Sequence, residues 1–120
     1  MSDKNYGIFS LKGSGREINL KKVNKIIKSQ GDNERYIIED GLKVDNNRII
    51  IDGYSSETWR YDYSEEVVQL LKKLEKELNF NFKGKFKWVT EDYAHVTTSL
   101  YIFNGRGNCK KHIGIMENED

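Results

Sequence analysis

The sequence predicts an α+β fold, an antiparallel sheet of five or six strands with two helices on one face. Three observations lead there. Two amphipathic segments of helical period are separated, and the second is followed, by short β-prone runs. The run from Phe82 to Thr90 places Phe82, Phe86 and Trp88 on one parity and Lys83, Lys85 and Lys87 on the other, the pattern of a strand with one apolar and one wet face. Asp-Gly, Asn-Asn and Asn-Gly pairs punctuate the β runs, as tight hairpins require. The nearest standard arrangement is ferredoxin-like, or split β-α-β.

The elements follow in order. Tyr6 to Lys12 is a short strand, closed by Gly13-Ser14-Gly15. Those glycines match neither the phosphate loop nor the dinucleotide fingerprint, so they are read as a plain strand-to-helix connection. Leu20, Val23, Ile26 and Ile27 recur at helical spacing behind Asn19, a good N-cap, and Gly31 is the expected stop. Arg35–Glu39, Leu42–Val44 and Arg48–Asp52 read as β runs divided by Asp40-Gly41 and Asp45-Asn46-Asn47. Thr58 to Tyr61 is extended and aromatic. Ser64 is the expected cap of a second helix, with Glu65 and Glu66 at the positive end of its dipole. Val67, Leu70, Leu71, Leu74 and Leu78 form its apolar stripe, Lys72, Lys73, Glu75, Lys76 and Glu77 its wet face, and Asn79 ends it. Beyond the lysine-faced strand come a loop at Glu91 to Ala94, a strand from His95 to Phe103, the turn Asn104-Gly105, and a last strand within Asn108 to Met116.

A chain of 120 residues with 37% hydrophobic residues makes one domain, residues 1–120, with a core that needs no covalent staples. No apolar run is long enough to span a bilayer, and MSDKNYGIF has no basic-then-apolar leader layout. The single cysteine, Cys109, fits a reducing compartment, so a cytoplasmic location is expected. Net charge is only +1, which announces no strong field of either sign. The distribution is less even: Lys83, Lys85, Lys87, Arg106, Lys110 and Lys111 crowd the C-terminal third against Glu91 and Asp92. The Lys-, Asn- and Ile-rich, proline-free composition is that of an AT-rich genome, a low-GC bacterium or its phage.

From the second helix through Gly105 the chain resembles small bacterial and phage proteins of unknown function. In these a helix precedes a G-x-F-x-W-x-x-E-D strand and a further strand ending in an Asn/Asp-Gly turn. The matching residues are Gly84, Phe86, Trp88, Glu91, Asp92, Asn104 and Gly105; Thr90 and His95 depart from the pattern. The resemblance implies the helix-then-strands order and no activity.

No residue set carries a catalytic signature. Glu91, Asp92 and His95 are the best acid–base cluster, but adjacent strand residues point to opposite faces, so the two carboxylates do not share one substrate. Cys109 and His112 have the spacing of half a zinc site, yet one cysteine falls short of a structural set. No catalytic residue, metal or cofactor is therefore expected. The lysine face of Lys83, Lys85 and Lys87, with Arg106, Lys110 and Lys111 on what should be the neighbouring strand, suits an acidic partner or nucleic-acid phosphates. Against a nucleic acid, the aromatics of that strand sit on the other parity. Trp59, Tyr61 and Tyr63, with Tyr93 and Tyr101, form the candidate aromatic surface. The expectation is a small, non-enzymatic cytosolic binding protein of phage or mobile-element origin that binds, and inhibits or neutralises, a protein partner. The alternative is a nucleic-acid-binding protein using the lysine-rich sheet face.

Overall fold

The computed structural model describes residues 4–55, 59–92 and 95–117. Nine elements follow in order: β1 (Lys4–Ser14), α1 (Leu20–Lys28), α2 (Asp32–Glu39), β2 (Leu42–Asp45), β3 (Arg48–Tyr54), α3 (Ser64–Leu78), β4 (Lys83–Asp92), β5 (His95–Asn104) and β6 (Cys109–Glu117). The strands form one six-stranded sheet in the order β2-β3-β1-β4-β5-β6, with every pair antiparallel. Its first four strands, β4-β1-β3-β2 read from the other side, have the ferredoxin-like order, and the hairpin β5-β6 extends the sheet beyond β4.

All three helices bury their apolar stripes on the same side. Val23, Ile26 and Ile27 of α1, Ile37 and Ile38 of α2, and Val67 to Leu78 of α3 share one core with Phe9, Leu11, Ile49, Ile51, Phe86, Trp88, Tyr101 and Phe103 of the sheet. Among the described residues no helix lies over the other sheet face.

Several local expectations need correction. Arg35–Glu39 lies in helix α2, because Ile37 and Ile38 are both buried against the helical layer and Arg35 reaches Asp32 and Glu39 at helical spacing. The helical layer therefore holds three helices, and Gly31 is the break between the first two. Leu20 is exposed at the first position of α1, while Ile18, outside the helix, is buried in its place. Ser64 does not cap α3: it lies inside the first turn with its N–H donating to Asp62 Oδ1 at 2.8 Å, and its hydroxyl accepts from the Tyr101 O–H at 3.0 Å. Glu91 and Asp92 are strand residues of β4, not loop.

Gly13 and Ser14, read as part of the connecting loop, instead continue β1 opposite Ile49 and Arg48, and Asp40-Gly41 joins α2 to β2 rather than dividing two strands. At the asparagines the turn chemistry is as read. Asn19 Oδ1 accepts from the Lys22 N–H, Asn79 ends α3 in the left-handed region, and Asn46-Asn47 close the β2-β3 hairpin with φ of 48° and 63°. Gly13 lies under the Phe80 ring, where a Cβ would stand 2.6 Å from ring carbons, and the Gly15 N–H donates to the Asn47 carbonyl. Packing explains Gly13, and the Gly15 N–H is already bonded within the fold.

Candidate functional site

The uncovered face of the sheet is built by strand parity and register. Three cross-strand rows define it. Lys43, Ile50, Lys12, Lys83 and Asn104 form one; Asp52, Ser10, Lys85, Ile102 and Lys110 the next; Tyr54, Ile8, Lys87, Leu100 and His112 the third. An aliphatic floor lies among the lysine positions: Val89 points to this face between Tyr6 and Thr98 yet is only 6% exposed, and Ile8, Leu100 and Ile102 are half-buried.

Lys12 and Lys83 stand directly opposite each other across β1 and β4, with Lys85 one repeat further on. Like charges facing one another across a sheet cost stability. None of Lys12, Lys83, Lys85, Lys87 or Lys110 has an ion-pair partner among the described residues. Lysines toward the helices, such as Lys22, Lys73 and Lys111, pair with Glu17, Glu77 and Glu65.

The residues singled out from sequence are thus divided. Lys83, Lys85, Lys87 and Lys110 share the uncovered face, but Lys110 is two strands away because β5 lies between β4 and β6. Lys111 points to the helix side, where Nζ donates to Glu65 Oε1 at 2.7 Å and lies 5.4 Å from the Tyr101 ring centre. That bond holds the Glu65 carboxyl below the ordinary carboxylate range and raises the Lys111 ammonium. Arg106 is on the β5-β6 turn, its N–H donating to Asn104 Oδ1 at 2.7 Å. Trp59 and Tyr63 pack on the core in an edge contact of 5.7 Å, leaving Tyr61 as the one widely exposed ring of that cluster, 68% accessible. Tyr93 lies outside the described residues, and Tyr101 is no surface residue: it is buried in the core beside Phe86.

Two aromatics that parity alone had not joined to the lysines stand on the uncovered face. Tyr54, 68% exposed, is the cross-strand neighbour of Ile8, which is in turn opposite Lys87. Tyr6 lies beside it, ring centres 6.5 Å apart, with its hydroxyl donating to Glu91 Oε2 at 2.9 Å. Burial and that carboxylate raise the Tyr6 phenol above its ordinary value. The signal for Tyr54 was present in the alternation of Ile50, Asp52 and Tyr54, but its closeness to Lys87 depends on β1 inserting between β3 and β4.

The acid–base candidates separate. Asp92 and His95 are paired across β4 and β5, while Glu91 is on the other face with Val96. Cys109 faces the helix side opposite Phe103, and His112 faces the uncovered side opposite Leu100. His95 is five positions from Leu100 along β5, about 17 Å, and on the helix side. Cys109, His112 and His95 therefore do not converge, and no group of three metal-ligating side chains occurs among the described residues. Burial raises the Cys109 thiol, which lowers its thiolate fraction.

Among the buried polar residues, Asn5 carried no expectation from sequence, and Glu75, expected on the wet face of α3, is buried instead. Asn5 accepts from the Trp88 indole N–H at 3.2 Å and the Thr90 hydroxyl at 2.6 Å, and donates to the Trp59 carbonyl at 3.1 Å. Asn5→Ala should cost about 1–3 kcal/mol in urea unfolding, since it leaves the buried Trp88 N–H without a partner; a loss within about 0.5 kcal/mol would show that the network is dispensable. Glu75 lies on the helix side, where Oε2 accepts from the Phe82 N–H at 2.7 Å. Burial raises its carboxyl above the ordinary range, outweighing the Phe82 N–H and Lys72. A raised folded pKa means stability that is full below the unfolded value and is lost as pH rises through the folded one. Glu75→Gln should keep the acceptor and flatten that decline, so its stability relative to the parent protein should improve from pH 4 to pH 8. A constant difference across that range would contradict the shift.

No helix among the described residues is long and apolar enough to cross a membrane. Comparison with protein-family models, curated proteins and solved structures gives no match.

Proposed function

We propose that this protein binds a nucleic acid on the uncovered face of its sheet. The observation that carries the reading is the Lys12–Lys83 opposition beside Lys85, a run of cations without an ion-pair partner among the described residues. A fold that tolerates facing like charges gains if a polyanion lies over them. The sequence favoured a protein partner because the aromatics of β4 face the core. Tyr54 and Tyr6 supply rings on the lysine side, which removes that objection. The reading assigns no catalytic step.

Binding of a fluorescein-labelled oligonucleotide, followed by anisotropy, should weaken steeply between low and moderate salt as counterions are released. Lys83→Glu, Lys85→Glu and Lys87→Glu together should abolish it. Lys83→Glu alone should weaken binding while leaving the fold as stable or about 0.2–1 kcal/mol more stable, because it turns a like-charge pair into an opposite one. Absence of salt-dependent binding by the parent protein would remove the proposal. A second reading, inhibition or neutralisation of a protein, is favoured by the exposed Tyr61 beside Trp59 and Tyr63. It expects a protein retained from nuclease-treated lysate and released by Tyr61→Ala.

A further inference from the structure

We infer that the nucleic acid taken by this face is single-stranded, with one base stacked on Tyr54 and the chain led along β1 to the depression over Gly84. This rests on the binding role proposed above and specifies its ligand. Tyr54 is the widely exposed ring on the lysine side, one strand from Ile8 and two from Lys87. Its neighbour Tyr6, with ring centres 6.5 Å apart, is anchored through its hydroxyl to Glu91, while Tyr54 itself stays exposed. Every base offers a π-face to such a ring, but only where it is not already stacked within a duplex.

Four residues back along β3, about 13 Å from Tyr54, lies a depression of about 430 Å³, in the size range of small-ligand sites. Gly84 is among its lining residues, at a φ of 133° that brings the β4 backbone close to the Ser10 carbonyl of β1. Lys12 and Lys83 line it with Ser10 and Asp52. The two ammonium groups suit a phosphate. Asp52, an acceptor that would repel a phosphate, suits the exocyclic amine of a base. A cationic pair and a carboxylate acceptor within one nucleotide-sized hollow, a short stride from an exposed ring, match a chain of alternating phosphates and unpaired bases better than a uniformly anionic duplex surface.

The test is anisotropy at low salt with a labelled 12-mer single strand and the 12-base-pair duplex of the same sequence. The single strand should bind at least about tenfold tighter. Tyr54→Ala should weaken it roughly five- to hundredfold with no change in salt slope, and Tyr54→Phe should restore it. Tyr54 is exposed, and an unchanged melting temperature of the variant would show that its fold is intact. Salt-dependent binding with equal affinity for strand and duplex, or indifference to Tyr54→Ala, overturns this inference and leaves the binding role standing. No salt-dependent binding of either oligonucleotide overturns both.

Discussion

Gly84→Ala is expected to cost about 3 kcal/mol or more and to leave much of the chain unfolded at moderate temperature. Gly84 sits inside β4 with φ of 133°, a conformation that a side chain strains by roughly 1–3 kcal/mol. The added methyl would also meet the Ser10 carbonyl oxygen at the β1-β4 ladder, backbone that cannot rotate away. Relief would require β1 and β4 to part at the centre of the sheet, which adds an overpacking cost of about 1–3 kcal/mol. Gly114→Ala is the matched control. It lies in β6, where an added methyl would have nothing within 4 Å, and should be neutral or stabilising by up to about 1 kcal/mol. Urea unfolding of both variants checks this; similar midpoints for the two would refute the account of Gly84.

Leu74→Ala should cost about 2–5 kcal/mol. Leu74 is 0% exposed in the middle of α3 and belongs to the core formed with Phe86 and Trp88 of β4. That core is rich in large rings in mutual contact, such as the 4.7 Å stack of Phe9 on Phe86, and a core packed in this way collapses only partly around a lost side chain. The readout is the urea midpoint at an unchanged m-value. A loss well below 1 kcal/mol would mean that α3 does not seal this part of the core.

Much of the architecture was legible because it is set by short-range periodicity. The stripe of α3, the two-faced pattern of β4 and the Asn46-Asn47 hairpin each need only neighbours within a few residues. The errors fall where local signals were balanced. Arg35–Glu39 has the apolar pair and aromatic of a strand, and also the charges of a helix. The decision came from Ile37 and Ile38 finding a place in the helical layer. Ser64 carries the chemistry of a cap, but Asp62 two residues earlier takes the N–H, freeing the Ser64 hydroxyl for Tyr101.

By itself the sequence determined the α+β class, the two-sidedness of each strand and the cationic character of one side of β4, since all three follow from alternation and turn chemistry along the chain. Only the tertiary structure decided which side chains share a row. Strand order is set by long-range pairing: β1 enters between β3 and β4, bringing Lys12 opposite Lys83 and Tyr54 to within two strands of Lys87. It likewise placed β5 between Lys85 and Lys110, and turned Lys111 to the helix side with Glu65. No periodicity encodes those neighbours, because they arise from burying Phe9, Leu11, Ile49, Ile51, Phe86 and Trp88 under one helical layer. The uncovered face takes its arrangement from that burial on the opposite side.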